Sequence, residues 1–180
     1  MPSELTNEVK EEQQLDAAGG EFYTGQTSGV GATVSLSRSS LARVRMTLSA
    51  DQSISNSGTI KVAFDQTDYD PEENFDATNN RYVAKKEGFY YVTFTATGDA
   101  MSDQIDFLSH IYKNGVSIAR FIANTSKAGG NATVSTTIVD AVDLMVGDYI
   151  EFYVDHNDSV SRNILSNSAY TFAVIHLLSA

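Results

Sequence analysis

The densest cluster of chemically capable side chains is the acidic run Asp65, Asp68, Asp70, Glu72, Glu73 and Asp76. Within it Asp68, Asp70 and Glu72 fall on alternate positions, a spacing in which carboxylates can surround a hard cation such as calcium. The run lacks the turn glycine and the closing glutamate of an EF-hand loop. These three residues are the calcium candidates, set against the preferred reading of a solvated acidic surface loop that folds without metal. The histidines His110, His156 and His176 show neither i, i+4 spacing nor an H-x-H pair that would aim two ligands from one strand face. His110 and His176 are expected in the interior or at an interface, and His156 in a loop.

Nucleophilic and phosphate chemistry find no footing. There is no G-x-S-x-G elbow, no phosphate-binding loop and no dinucleotide fingerprint. The glycine-rich stretch 25–31 contains no lysine and is not bracketed by a strand and a helix. Zero cysteines exclude a thiol nucleophile, a disulfide framework and a thiolate metal site. The chain is expected to be neither an enzyme nor dependent on a cofactor. Three N-glycosylation sequons, at Asn124, Asn131 and Asn157, are close to what this Asn-, Ser- and Thr-rich composition produces by chance.

Charge narrows the partners. Twelve Lys and Arg against 23 Asp and Glu leave a net charge of −11 in 180 residues. Such a chain repels phosphate backbones and anionic bilayers, so neither nucleic acid nor membrane is an expected partner. No apolar run approaches the roughly 18 residues of a membrane span. The opening Met-Pro-Ser-Glu-Leu-Thr-Asn-Glu has neither the basic start nor the apolar stretch of a secretory leader.

The elements that must position these residues follow from periodicity. Residues 1–40 form an arm in which Leu5 and Val9, four apart, can present one thin apolar stripe on a short helix. Leu15 is the one other large apolar residue of the polar stretch 3–16, and Ala17-Ala18-Gly19-Gly20 reads as a hinge. So short a helix is marginal alone, so Leu5, Val9 and Leu15 are expected to dock on another surface. Over 41–180 the period is two. Val44, Met46 and Leu48 alternate with Arg43, Arg45 and Thr47, and Ile60, Val62 and Phe64 with Thr59, Lys61 and Ala63. Gly88 introduces Phe89-Tyr90-Tyr91-Val92-Thr93-Phe94, a strand apolar on both faces. Asn114-Gly115 is the favoured pair for a two-residue hairpin turn. Further strands are expected at 133–144, 149–154 and 169–178. Eight or more short strands with polar turns imply an all-β fold, an antiparallel jelly-roll sandwich.

The order of these segments resembles the trimeric jelly-roll superfamily of the complement component one-q globular head and tumour necrosis factor. The likeness is carried by Phe75-Asp76 with Asn79-Asn80-Arg81-Tyr82-Val83-Ala84, and by Gly88-Phe89-Tyr90-Tyr91-Val92-Thr93-Phe94. It continues through Ile111-Tyr112-Lys113-Asn114-Gly115, Val142-Asp143-Leu144 to Gly147-Asp148-Tyr149-Ile150-Glu151-Phe152, and Tyr170-Thr171-Phe172-Ala173-Val174-Ile175. Together these span about residues 60–178. The resemblance implies a homotrimer in which one sheet of each subunit packs around a three-fold axis. The second apolar face of the aromatic strand, Phe89 and Tyr91, is the expected trimer contact.

Two functions fit this reading. The first is a structural subunit on a virion surface (decoration, turret, spike or fibre), anchored to other structural proteins of the assembly through its arm. The second is a bacterial adhesin-type head, secreted or at the cell surface. A host-surface glycan or receptor is a candidate partner in either case.

Overall fold

The computed structural model describes residues 42–56, 58–125 and 130–179. The expected arm, with Leu5, Val9 and Leu15, lies outside these residues, as does the glycine-rich stretch 25–31. Among the described residues there is no helix, and thirteen strands follow in order. They are β1 (Arg43–Thr47), β2 (Gln52–Ile54), β3 (Ile60–Lys61), β4 (Gln66–Tyr69), β5 (Phe75–Asp76), β6 (Arg81–Val83) and β7 (Gly88–Met101). The remainder are β8 (Asp106–Lys113), β9 (Val116–Asn124), β10 (Ala132–Leu144), β11 (Tyr149–His156), β12 (Arg162–Ile164) and β13 (Phe172–Ser179).

The strands form two antiparallel sheets. In the first, β7 is the spine: β10 runs along one edge, while β13 and β12 share the other. From there β13 leads to β1 and β4, and β12 to β2. The second sheet runs β5-β6-β11-β8-β9, with β3 beside β11. The inward residues close one core. Val44, Met46, Tyr90, Val92, Phe94 and Ile175 from the first sheet face Tyr82, Phe107, Ile111, Ile150, Phe152 and Val154 from the second, and all of them are buried. Phe64, Phe94 and Phe152 tie the layers together with ring centroids 4.9–6.1 Å apart, within the range of favourable aromatic pairs.

Period-two patterning therefore gives the jelly-roll sandwich, with local departures. The acidic stretch is not one loop: Gln66–Tyr69 pairs with β1, and Phe75–Asp76 pairs with β6. Both are short, polar edge segments whose pairing is set by the neighbouring strand rather than by alternation. His156 closes β11 and is buried, rather than lying in a loop. The last strand begins at Phe172, because Tyr170 and Thr171 are held in a turn by the Asn167 carbonyl.

Candidate functional site

Strand β7 separates its two faces by parity. Tyr90, Val92 and Phe94 point into the core and are fully buried, whereas Phe89 and Tyr91 point outward, 50% and 39% exposed. An aromatic pair is left open to solvent on the first sheet. Register places its neighbours. Tyr91 lies between Ala141 of β10 and His176 of β13, and Thr93 between Val139 and Val174. Val139 is also exposed. Further along the same face the side chains become hydroxyls. Thr95 meets Thr137 at 3.0 Å, and Thr97 meets Ser135 at 2.8 Å. The outward face thus has an apolar, aromatic half and a hydroxyl half.

Beyond β13 the face becomes cationic. Arg43 stands opposite His176, and Arg45 opposite Val174. Arg45 is fully engaged: it pairs with Asp68, donates to the Ser168 carbonyl at 2.5 Å, and lies 4.5 Å from the centroid of the Phe172 ring. The Tyr69 hydroxyl lies 3.3 Å from His176 Nε2, and the rings meet edge to face. Burial, and then the nearby Arg43 charge, hold the His176 imidazole below its ordinary value of 6.5. Arg43, Tyr69 and His176 line a shallow depression.

A second apolar surface lies on the other sheet. Among the described strands β9 pairs with β8 alone, and it exposes Val116, Ile118, Phe121 and Ile122. An edge strand this apolar is a ready docking element.

The acidic candidates are dispersed by the fold. Asp68 pairs with Arg45, and Glu72 with Lys86 at 2.7 Å. Asp70 accepts from the backbone amides of Asn74 at 2.9 Å and Phe75 at 2.8 Å. Asp65 accepts from the Ser49 amide, and Asp76 holds Asn79 and Arg81. Among the described residues, no three His, Cys, Asp or Glu side chains are grouped so as to hold a metal ion.

The histidines separate too. His110, buried in β8, has Nε2 2.6 Å from Asp155 Oδ2. His156 Nδ1 accepts from the Asp158 amide at 3.2 Å, which leaves Nε2 as the donor to the Ile54 carbonyl at 3.3 Å.

Phe89 and Tyr91 were legible as a second apolar face. The Arg43–Tyr69–His176 group was not, because register alone joins residues from opposite ends of the domain. The one signal in the sequence was that Arg43 and Arg45 occupy the polar positions of an alternating strand.

Comparison with known proteins places this architecture. The chain is similar to the solved structure of Eiger TNF from S. frugiperda, with a TM-score of 0.59 at 13% identity, covering 77% of this chain and 93% of that one. It is similar to the globular domain of zebrafish complement 1qA protein, with a TM-score of 0.57 at 16% identity over 77% and 98%. Murine APRIL gives a TM-score of 0.58 at 13% identity over 77% and 99%. No curated protein matches the chain. These identities speak for the fold alone. The family model of the C1q domain matches residues 45–173, and on that match the chain belongs to the C1q-domain family.

Proposed function

We propose that the chain is a non-enzymatic structural subunit on the outside of an assembly, built as a homotrimer and anchored through residues 1–40. Domains of this family form homotrimers, and they are typically extracellular binding or structural modules. The observation that carries the trimer here is the open aromatic pair Phe89 and Tyr91 on the first sheet, with Val139 beside it. The domain also carries a different apolar patch, the β9 edge with Val116, Ile118, Phe121 and Ile122. Two unlike patches on one chain favour a head-to-tail contact, which closes into a ring when the rotation per subunit allows it. The face of one subunit would take the edge of the next.

A virion surface is the setting proposed for this trimer. The support is the arm: nine large apolar residues spread thinly over forty positions cannot close a core and need an external surface.

Sedimentation of the full chain tests the trimer. The expected result is a trimeric mass at micromolar concentration, lost in a Tyr91→Glu variant that keeps its far-ultraviolet spectrum. A wild-type chain that sediments only as monomer overturns it. Density-gradient fractionation tests the setting. The chain is expected to travel with particles, whereas a free trimer that binds glycans would favour the adhesin reading.

A further inference from the structure

Of the five described arginines, three are neutralised within the domain. Arg45 pairs with Asp68, Arg81 with Asp76, and Arg162 with Asp158. Arg120 is exposed on β9. Arg43 is different. It is half-buried, and among the described residues no carboxylate accepts from it, although the chain carries a net charge of −11. Its near neighbours are His176, opposite it in register, and Tyr69, and the three line one depression.

We propose that Arg43, with His176 and Tyr69 beside it, forms a binding site for an oxyanion: a carboxylate or a phosphate group. The guanidinium offers a planar fork of donors matched to two oxygens of such a group. The imidazole and the phenol hydroxyl share one hydrogen bond at 3.3 Å, so the pair leaves one further N–H or O–H donor for the oxyanion. Asp68 already neutralises Arg45, so the uncompensated charge on this part of the face belongs to Arg43. Covering the face with another subunit would desolvate that charge, and a buried cation without a partner is strongly destabilising. The oxyanion removes this penalty. It comes either from a free anion or from a carboxylate on the covering subunit. The second source rests on the trimer reading; the first does not, since the depression is complete in one chain.

Thermal unfolding and sedimentation of the full chain in phosphate, against chloride at matched ionic strength, separate the two sources. Wild type, Arg43→Gln and Lys85→Gln are compared, the last removing one positive charge from an exposed residue that belongs to neither apolar patch. General salting effects of phosphate act on all three alike, so only an Arg43-dependent increment counts. For a free anion, phosphate raises the midpoint of wild type and Lys85→Gln by a few degrees beyond that of Arg43→Gln. For a carboxylate from the covering subunit, phosphate adds no such increment, and Arg43→Gln weakens the trimer at least about tenfold, the scale of one lost ion pair at an interface. Should Arg43→Gln not fold, a phosphate-dependent shift of the His176 ring protons in wild type reads the same site, and its absence counts against a free anion. Arg43→Gln with unchanged assembly and an unchanged phosphate response overturns the proposal. A monomeric wild type with an Arg43-dependent phosphate increment would retain the site and discard the trimer.

Discussion

Arg162 Nε donates to Asp158 Oδ2 at 2.7 Å across one turn of chain, and Asp158 is 2% exposed. The same carboxylate accepts from the Ser102 amide at 3.0 Å and the Ser102 hydroxyl at 3.2 Å, and Arg162 also donates to that hydroxyl at 2.6 Å. One buried ion therefore fastens the chain leaving β7 to the chain entering β12.

Asp158→Asn should be the costliest polar substitution in the domain. It keeps the shape and leaves the Arg162 guanidinium inside without its counter-charge, a loss of about 3–5 kcal/mol for a broken buried pair. Urea unfolding of the variant measures it, and a change below about 1 kcal/mol would show the site to be wetter than its burial implies. The pH dependence has a definite sign. Burial pushes the Asp158 carboxyl up, but the Ser102 and Arg162 hydrogen bonds outweigh it and hold the group well below 3.8. A depressed carboxyl contributes its stability above the unfolded value, and that contribution is lost as the pH falls below about 4. The wild-type midpoint should fall more steeply than that of Asp158→Asn over this acid range.

Two turns at the other end of the sandwich share one residue. Asn114 and Gly115 both have positive φ, 52° and 79°, as a tight primed hairpin turn requires. The Asn114 side chain also donates to Asp148 Oδ1 at 2.8 Å and accepts from the Tyr149 amide at 2.9 Å. Asp148 in turn caps the Met145 amide at 3.0 Å and pairs with Lys113. The Asn114 bond is the largest cause holding the Asp148 carboxyl down to about 2. Asn114→Ala should destabilise the domain by about 1–2 kcal/mol and raise the Asp148 titration toward 3.8, followed by carboxyl-carbon chemical shift. A domain that tolerates Asn114→Ala with Asp148 unmoved would assign the turn to backbone preference alone.

These two sites differ in how far the sequence reveals them. Asn-Gly between alternating runs announces a hairpin, because only residues tolerant of positive φ fit there. The parity of β7 likewise separates Tyr90 and Val92 from Phe89 and Tyr91 by alternation alone. The Asp158–Arg162 pair, by contrast, looks like an ordinary charged loop, since nothing in local spacing reports burial. Strands β2, β4, β5 and β12 are missed for a related reason. Each has two to four residues, too few for a period to register; β4, β5 and β12 each lie along a longer neighbour, and β2 pairs with the equally short β12. The Arg43–His176 group depends wholly on the β1–β13 register.

Chelation tests the acidic stretch. Asp68, Asp70 and Glu72 are committed respectively to Arg45, to two backbone amides and to Lys86, and each would have to leave its partner to bind a cation. Millimolar EDTA should leave the melting midpoint unchanged, and added calcium should not raise it. A fall of many degrees on chelation would mean that a cation reorganises these pairs.

The arm carries the proposed function. Met1, Leu5, Val9, Leu15, Phe22, Tyr23, Val30, Val34 and Leu36 are its large apolar residues, too sparse to bury one another, and the short helix expected from the Leu5–Val9 spacing would be marginal in water. The β domain has no such deficit, since the described residues include a core of 25 buried apolar side chains drawn from the strands and the segments flanking them. Folding of the domain and anchoring of the arm should therefore be separable. Deleting residues 1–20 is expected to shift the melting midpoint of the purified protein by no more than a few degrees, because none of these core residues is removed. The same deletion is expected to abolish incorporation into the parent assembly, measured as the fraction of chain that sediments with particles. Leu5→Asp with Val9→Asp should reproduce that loss without shortening the chain. If the truncated protein unfolds, the arm belongs to the core; if it still incorporates normally, the anchor lies on the β domain itself.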